Sequence, residues 1–262
     1  MSLKIQHTYH LVDESPWPLL RSISRIFLTL GLLQFFYFKS SRIINKRIIL
    51  LFLLMWQWWL DVSREGAFQG LHSNSVTLGL RWGIILFIVS EICFFFSFFW
   101  MFFHSSLVPT VEIASWPPLN IIVMRCLQVP LLNTFILITS GISVTWAHHA
   151  LIKGEHNQTL RGLYCTVILG VYFTILQGIE YAETSFRIAD RIYGSSFFLA
   201  TGFHGFHVIV GTCFLMVSRR RINKSHMSST HHLGFEAAAW YWHFVDVIWL
   251  FLFVVIYWWG GV

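Results

Sequence analysis

An all-α polytopic membrane fold of seven transmembrane helices is what this sequence predicts, and three observations predict it. Apolar residues make up 56% and charged residues only 11% of the 262-residue chain, against about 25% charged in a soluble domain. Such a chain cannot cover its surface with solvated groups, which excludes a soluble enzyme, and disorder would need the opposite balance. Aromatic residues reach 18%, with 13 Trp and 26 Phe, a composition that fills space in lipid and anchors at its interfaces. Finally, the apolar stretches are continuous and do not alternate with period two, which excludes a membrane β-barrel.

A span needs about 20 mostly apolar residues, and the stretches 18–38, 78–103, 129–147, 162–181, 194–218 and 237–259 supply them. The stretch IILLFLLMWQWWL at 48–60 is short. It becomes a span when Ile43 and Ile44 extend it and Lys46 and Arg47 snorkel. Seven spans put the termini on opposite sides. Of the 18 Lys and Arg, eleven (Lys4, Arg64 and the Arg219–Arg221 run among them) then fall on the N-terminal side and seven on the other. The excess favours an N-terminus on the side of synthesis, with the basic cluster at 39–47 opposing it. The N-terminal stretch has neither a signal-peptide nor a transit-peptide pattern, so insertion through the chain's own helices is expected. The net charge of +6 is spread over loops, which suits anionic head groups and excludes a nucleic-acid partner. Cys93, Cys126, Cys165 and Cys213 form no CxxC pair, so neither a disulfide framework nor a thiolate metal site is expected.

Polar residues inside the spans are the candidates for chemistry. Glu91 lies mid-span with Phe87, Ile88, Phe94 and Phe95 at helical spacing. An acid there costs about 3 kcal/mol on insertion scales, so it must be protonated or paired across helices. It is either a proton-linked site or an interhelical hydrogen-bond donor. His204 and His207 share a helix face at i,i+3. They read as hydrogen-bonded imidazoles before metal ligands, because a metal needs further donors. By depth, His207 is a candidate partner for Glu91. His243 and Asp246, also i,i+3, read as a structural pair before a proton relay. The pairs His148–His149 and His231–His232 fall at span ends, where interfacial water is expected to solvate them. Gly202, Gly205 and Gly211 are expected to let helices approach closely.

One constellation is interfacial. Trp58 and Trp59 end the second span as amphipathic anchors. Arg64, His72, Arg221 and Lys224 follow the second and sixth spans and can donate to phosphate oxygens, with Glu65 available to an ethanolamine or an Arg. This reads as a phospholipid head-group site, with ordinary snorkelling as the alternative. No catalytic residue and no metal-ligand, haem-ligand, Walker or dinucleotide pattern is found. The chain reads as the partner of a catalytic subunit.

The strings WPLL (17–20), QWW, DV, RE and FQG within 57–70, RWGIILFIVSE, FFW and HSSL within 81–107, VPLLNT (129–134), TWAHHAL (145–151), LGVYFT, LQ and EY within 169–181, YGSSFF, ATGFHG and HV within 193–208, and HHLGFEAAAWYWHFVDVIWLFLFV and IYWWG within 231–260 closely resemble the cytochrome c oxidase subunit III family, nearly end to end. The resemblance implies a pair of helices, I–II, splayed from a five-helix bundle, III–VII, with a lipid-filled V-shaped cleft. The corresponding parts are residues 1–76 and 77–262 of one integral membrane unit. It implies a non-catalytic core subunit that packs on subunit I beside the mouth of a proton-uptake channel and sustains proton uptake. Haem a, haem a3 and copper belong to partner subunits, and this chain carries no redox centre. The implied partners are subunits I and II and accessory subunits, and the complex uses cytochrome c and oxygen. Glu91 matches the family's buried helix-III glutamate. Trp59, Glu65, His72, Arg221 and Lys224 match positions lining the lipid cleft, with phosphatidylglycerol, phosphatidylethanolamine or cardiolipin as the implied lipid. Leu60 and Leu71 depart from the family's usual Arg and His, removing a head-group donor. The implied location is the mitochondrial inner membrane with the N-terminus in the matrix, a bacterial plasma membrane being the alternative. A related quinol oxidase subunit remains a second reading. A proton-coupled transporter is a third, although inverted repeats and broken helices are not visible.

Overall fold

The structure, a computed structural model, describes residues 10–39, 41–109, 115–119 and 121–261. Lys4, counted above in the charge balance, lies outside them. Among the described residues there are seven long helices and no strand: α1 (Trp17–Phe38), α2 (Ser41–Ala67), α3 (Asn74–Leu107), α4 (Val129–Ile152), α5 (His156–Glu183), α6 (Arg191–Asn223) and α7 (Leu233–Leu252). All seven are long and apolar enough to cross a membrane. In lipid, backbone groups must be satisfied within the segment, so continuous helix is the form such apolar stretches take. Helix α2 extends well beyond the short apolar stretch at 48–60, because its polar ends are helical too. A further π-helical turn (Phe253–Trp258) and a 3₁₀ turn (Trp259–Gly261) continue α7 to the end of the last span.

The chain divides into two compact units, Met1–Leu80 and Arg81–Val262. In the first, α1 starts with proline in its first turn and ends where Lys39 adopts φ 52° and donates its N–H to Phe35 O at 2.8 Å. Helix α2 runs antiparallel to it. Trp17 Nε1 donates to Asp61 Oδ2 at 2.6 Å, Arg21 lies 5.2 Å over the Trp58 ring, and Arg47 lies over Phe27 and donates to its carbonyl. Within α1 only Ser24 and Gly31 are buried. Leu19, Ile26, Phe36, Phe52 and Leu53 stay mostly exposed, as suits helices whose outer solvent is lipid.

In the second unit α4, α5, α6 and α7 close a ring, with α4 against both α5 and α7. Trp242 and Trp249 of α7 are fully buried at its centre. Each indole N–H, which burial in an apolar core would otherwise strand, donates to α4: Trp242 Nε1 to Ser140 Oγ at 2.9 Å and Trp249 Nε1 to Thr134 Oγ1 at 3.0 Å. Glycines let the ring close. A Cβ at Gly170 would lie 2.7 Å from the Trp242 ring, one at Gly211 2.9 Å from it, and one at Gly162 2.9 Å from Ala147 Cβ. Of the three glycines expected to do this, Gly211 does. A Cβ at Gly205 would meet nothing within 4 Å and one at Gly202 only Tyr181 OH at 3.9 Å, so these two face open space. Along α3, Ile88, Phe95, Phe98 and Phe102 pack on this core, a 3–4 spacing that turns one stripe of the helix inward.

Candidate functional site

Glu91 lies on that inward stripe, between Ile88 and Phe95. This places its carboxylate against α6, where Oε2 is 3.0 Å from His207 Nε2. The side chains are 21% and 8% exposed, so the contact is largely sealed. The His207 ring packs edge-on to Phe95 at 5.1 Å and lies beside Tyr241 and Phe244. His207 Nδ1 is 2.7 Å from the carbonyl of Phe203. A carbonyl only accepts, so Nδ1 carries a proton and donates it. One further proton then bridges Nε2 and Glu91, lent by the carboxyl group to a neutral imidazole or carried by Nε2 of an imidazolium. Chemically the pair is one proton shared between an acid and an imidazole, holding α3 to α6. With both its nitrogens engaged, His207 offers no second free nitrogen to make a metal pair with His204.

His204 is almost fully buried between Phe173 and Trp249, with Nε2 3.2 Å from the Val245 carbonyl. His243 and Asp246 approach to 3.8 Å, too long for a hydrogen bond, while His243 Nε2 meets Thr145 Oγ1 at 3.3 Å. One further acid escaped the sequence reading. Glu180 of α5 is wholly buried beside Gln177 and Tyr257, which meet each other at 3.3 Å. It lies at the very end of the predicted span 162–181, where the rule that singled out the mid-span Glu91 has less force.

The interfacial residues fall into two groups, one in each unit. In the first unit Trp58 carries the Arg21 guanidinium over its ring and Trp59 is exposed. Arg64 Nη1 is 3.0 Å from Asp61 Oδ1, so the Arg64 charge is shared with a carboxylate three residues back. Glu65 Oε2 lies 3.6 Å from His10 Nε2, and the rings of His10 and His72 meet edge-on at 5.4 Å. His10 and Asp61 are therefore part of this group although the sequence reading did not single them out; Asp61 stood in view at i−3 from Arg64. In the second unit Arg221 is half-buried in the last turn of α6, its Nε without a hydrogen-bond partner, and Lys224 caps that helix in an exposed position.

Solvation was the expectation for the histidines at the span ends, and two of them are withdrawn from the surface, one partly and one almost wholly. His232 is buried and His148 half-buried. Their rings meet edge-on at 5.5 Å because the end of α4 and the start of α7 converge. His149 and His231 stay exposed.

A family model described as cytochrome c oxidase subunit III matches residues 7–261. The chain is 58% identical over 262 residues to cytochrome c oxidase subunit 3 of Drosophila melanogaster and 57% identical to that of Aedes aegypti, covering the whole of each chain. It is 56% identical over 256 residues to the Rattus norvegicus protein of the same name, covering 97% of this chain and 98% of the other.

Proposed function

Because the chain belongs to the cytochrome c oxidase subunit III family, a component of an oxidoreductase complex, we propose that it is a non-catalytic core subunit that stabilises the catalytic subunit, sustains proton uptake and holds structural phospholipid. The observation that carries this reading is the match over the whole length of both chains at more than half identity. Haem and copper belong to the complex, held by partner subunits. Subunits I and II are the proposed neighbours, cytochrome c the donor and the mitochondrial inner membrane the location, with the N-terminus in the matrix.

Within that role the residues divide the work. Glu91 and His207 share a proton at 3.0 Å and keep α3 on the bundle in a medium that offers no water to either group. His204 and the Trp242 and Trp249 indoles spend their N–H groups on backbone or hydroxyl acceptors, which favours scaffold over redox ligation. Trp58, Trp59, Arg64, Glu65 and His72 on one unit, and Arg221 and Lys224 on the other, supply aromatic anchors and cations for phospholipid head groups.

Gentle purification in mild detergent tests the reading. Haem a and copper spectra are expected to co-purify with partner subunits in a complex containing this chain, and to be absent from the chain separated from them. A haem or copper signal retained by the separated chain overturns it.

A further inference from the structure

We propose that His148, His232 and Glu236 form a binding site for a divalent transition-metal cation of the zinc type, separate from the redox metals of the complex. One ring nitrogen of each histidine and one carboxylate oxygen of Glu236 all lie within 4.8 Å of one another. Two imidazoles and a carboxylate are the donor set of three-ligand zinc sites that leave a fourth position open to water.

The hydrogen bonding around the cluster is arranged for a cation. His232 Nδ1 lies 3.0 Å from the Ser228 carbonyl, so Nδ1 carries the ring proton and donates it. This is the outer contact that metal-bound imidazoles commonly make. Nε2 of the neutral ring is then a lone pair, and it faces Glu236 Oε1 at 3.4 Å. On a neutral ring two acceptors face each other there, and a cation between them satisfies both, as the Nε2 proton of an imidazolium also would. His148 brings a second imidazole to the same point, and its Nε2 is sealed from solvent with no hydrogen-bond partner. Arg81 grips the carboxylate as well, with Nη2 3.0 Å from Oε2 and 3.2 Å from Oε1 and Nε 3.2 Å from Oε2, so Oε1 is shared between the guanidinium and the histidine side. The Arg81 side chain is half exposed while those of His232 and Glu236 are 8% and 15% exposed. Exposure at the cluster is therefore greatest on the Arg81 side.

Two features weaken the site. Arg81 and the positive end of α7 both repel a cation. The donors must also draw together to about 3.3 Å, the edge of a tetrahedron with metal–ligand bonds of about 2.0 Å. Exchangeable binding, not a permanently closed structural site, follows from both. The group His10, Glu65 and His72 has the same composition and span, but its His10 is exposed.

Equilibrium dialysis of the assembled oxidase against zinc-65 tests the proposal, comparing the wild type with H148Q and H232Q. The wild type is expected to hold one zinc equivalent that each variant binds at least about tenfold more weakly. Zinc-edge anomalous scattering from the wild-type complex is expected to place that ion among the three residues, and this measurement does not depend on the variants assembling. Equal zinc stoichiometry in all three proteins, or anomalous density only elsewhere, overturns the site and leaves a protonated His232 paired with Glu236.

Discussion

Replacing His207 by Phe separates the packing role of the ring from its proton-sharing role. Phenylalanine fills nearly the same volume against Phe95, Tyr241 and Phe244 but forfeits both contacts, to Phe203 O at 2.7 Å and to Glu91 at 3.0 Å. The Glu91 carboxyl then has no imidazole to meet. Leaving a buried polar group without its partner costs about 1–3 kcal/mol, equivalent to about a 5- to 150-fold shift in the equilibrium between intact and loosened bundle. E91Q should behave differently. On a neutral ring Nε2 of His207 accepts, and the amide N–H₂ of Gln can donate to it as the carboxyl does, so the loss should not exceed about 0.6 kcal/mol, the size of one interhelical hydrogen bond in a membrane. Substituting both partners, E91L with H207F, removes the unmet group and should recover much of the H207F loss. The assay is the fraction of this chain retained by the purified complex through stepwise heating in mild detergent, read on native gels. If E91Q loosens the chain as much as H207F does, the pair is held by charge and the shared-proton account is wrong. Electron transfer in the initial turnovers should be unchanged in all three variants.

Arg221→Ala should lower the phospholipid retained per complex and shorten working life in turnover; phosphorus analysis that finds no loss contradicts the head-group role. Gly170→Ala should cost about 1–3 kcal/mol of bundle stability by overpacking, because its methyl would fall 2.7 Å from both Thr212 Oγ1 and the Trp242 ring. Gly205→Ala, which meets nothing within 4 Å, should be neutral or stabilising by up to about 1 kcal/mol; thermal retention on native gels distinguishes the two. Arg64→Ala should leave that stability within about 1 kcal/mol of the wild type, since its partner Asp61 is also partly exposed and surface pairs contribute little.

The seven spans were legible because each is an apolar stretch of the length lipid demands, and lipid leaves helix as the available form. Helix ends were not: α2 reaches Ser41 and Ala67 through polar residues that hydropathy reads as loop. Glu91 stood out because an acid among phenylalanines has no local partner, and matching its depth to His207 needed only the spans. Glu180, at the end of its span, was hidden by the shorter apolar context of LQGIEYAE. The glycines show the limit. GxxG-like spacing in TGFHGFH marks small residues, but which face meets a neighbour depends on where Trp242 points, and that is fixed by its bond to Ser140. His148 and His232 were misjudged for a related reason. Position at a span end predicts water, yet the convergence of α4 and α7 withdraws them from it.

His207 and His232 reach the same electronic arrangement from different depths. Each donates Nδ1–H to the carbonyl four residues earlier, Phe203 for one and Ser228 for the other, and each turns Nε2 toward a glutamate. The distance separates their chemistry. At 3.0 Å from Glu91 one proton satisfies both acceptors, within the range of a normal hydrogen bond. At 3.4 Å from Glu236 the contact is longer than a normal hydrogen bond, and a second imidazole, His148, stands beside the gap with its Nε2 sealed. The mid-depth pair has no such neighbour: His204, its i−3 companion, spends Nε2 on the Val245 carbonyl. The same imidazole orientation thus locks helices together in the interior, and at the start of α7, with Arg81 holding the carboxylate, it provides donors to a cation.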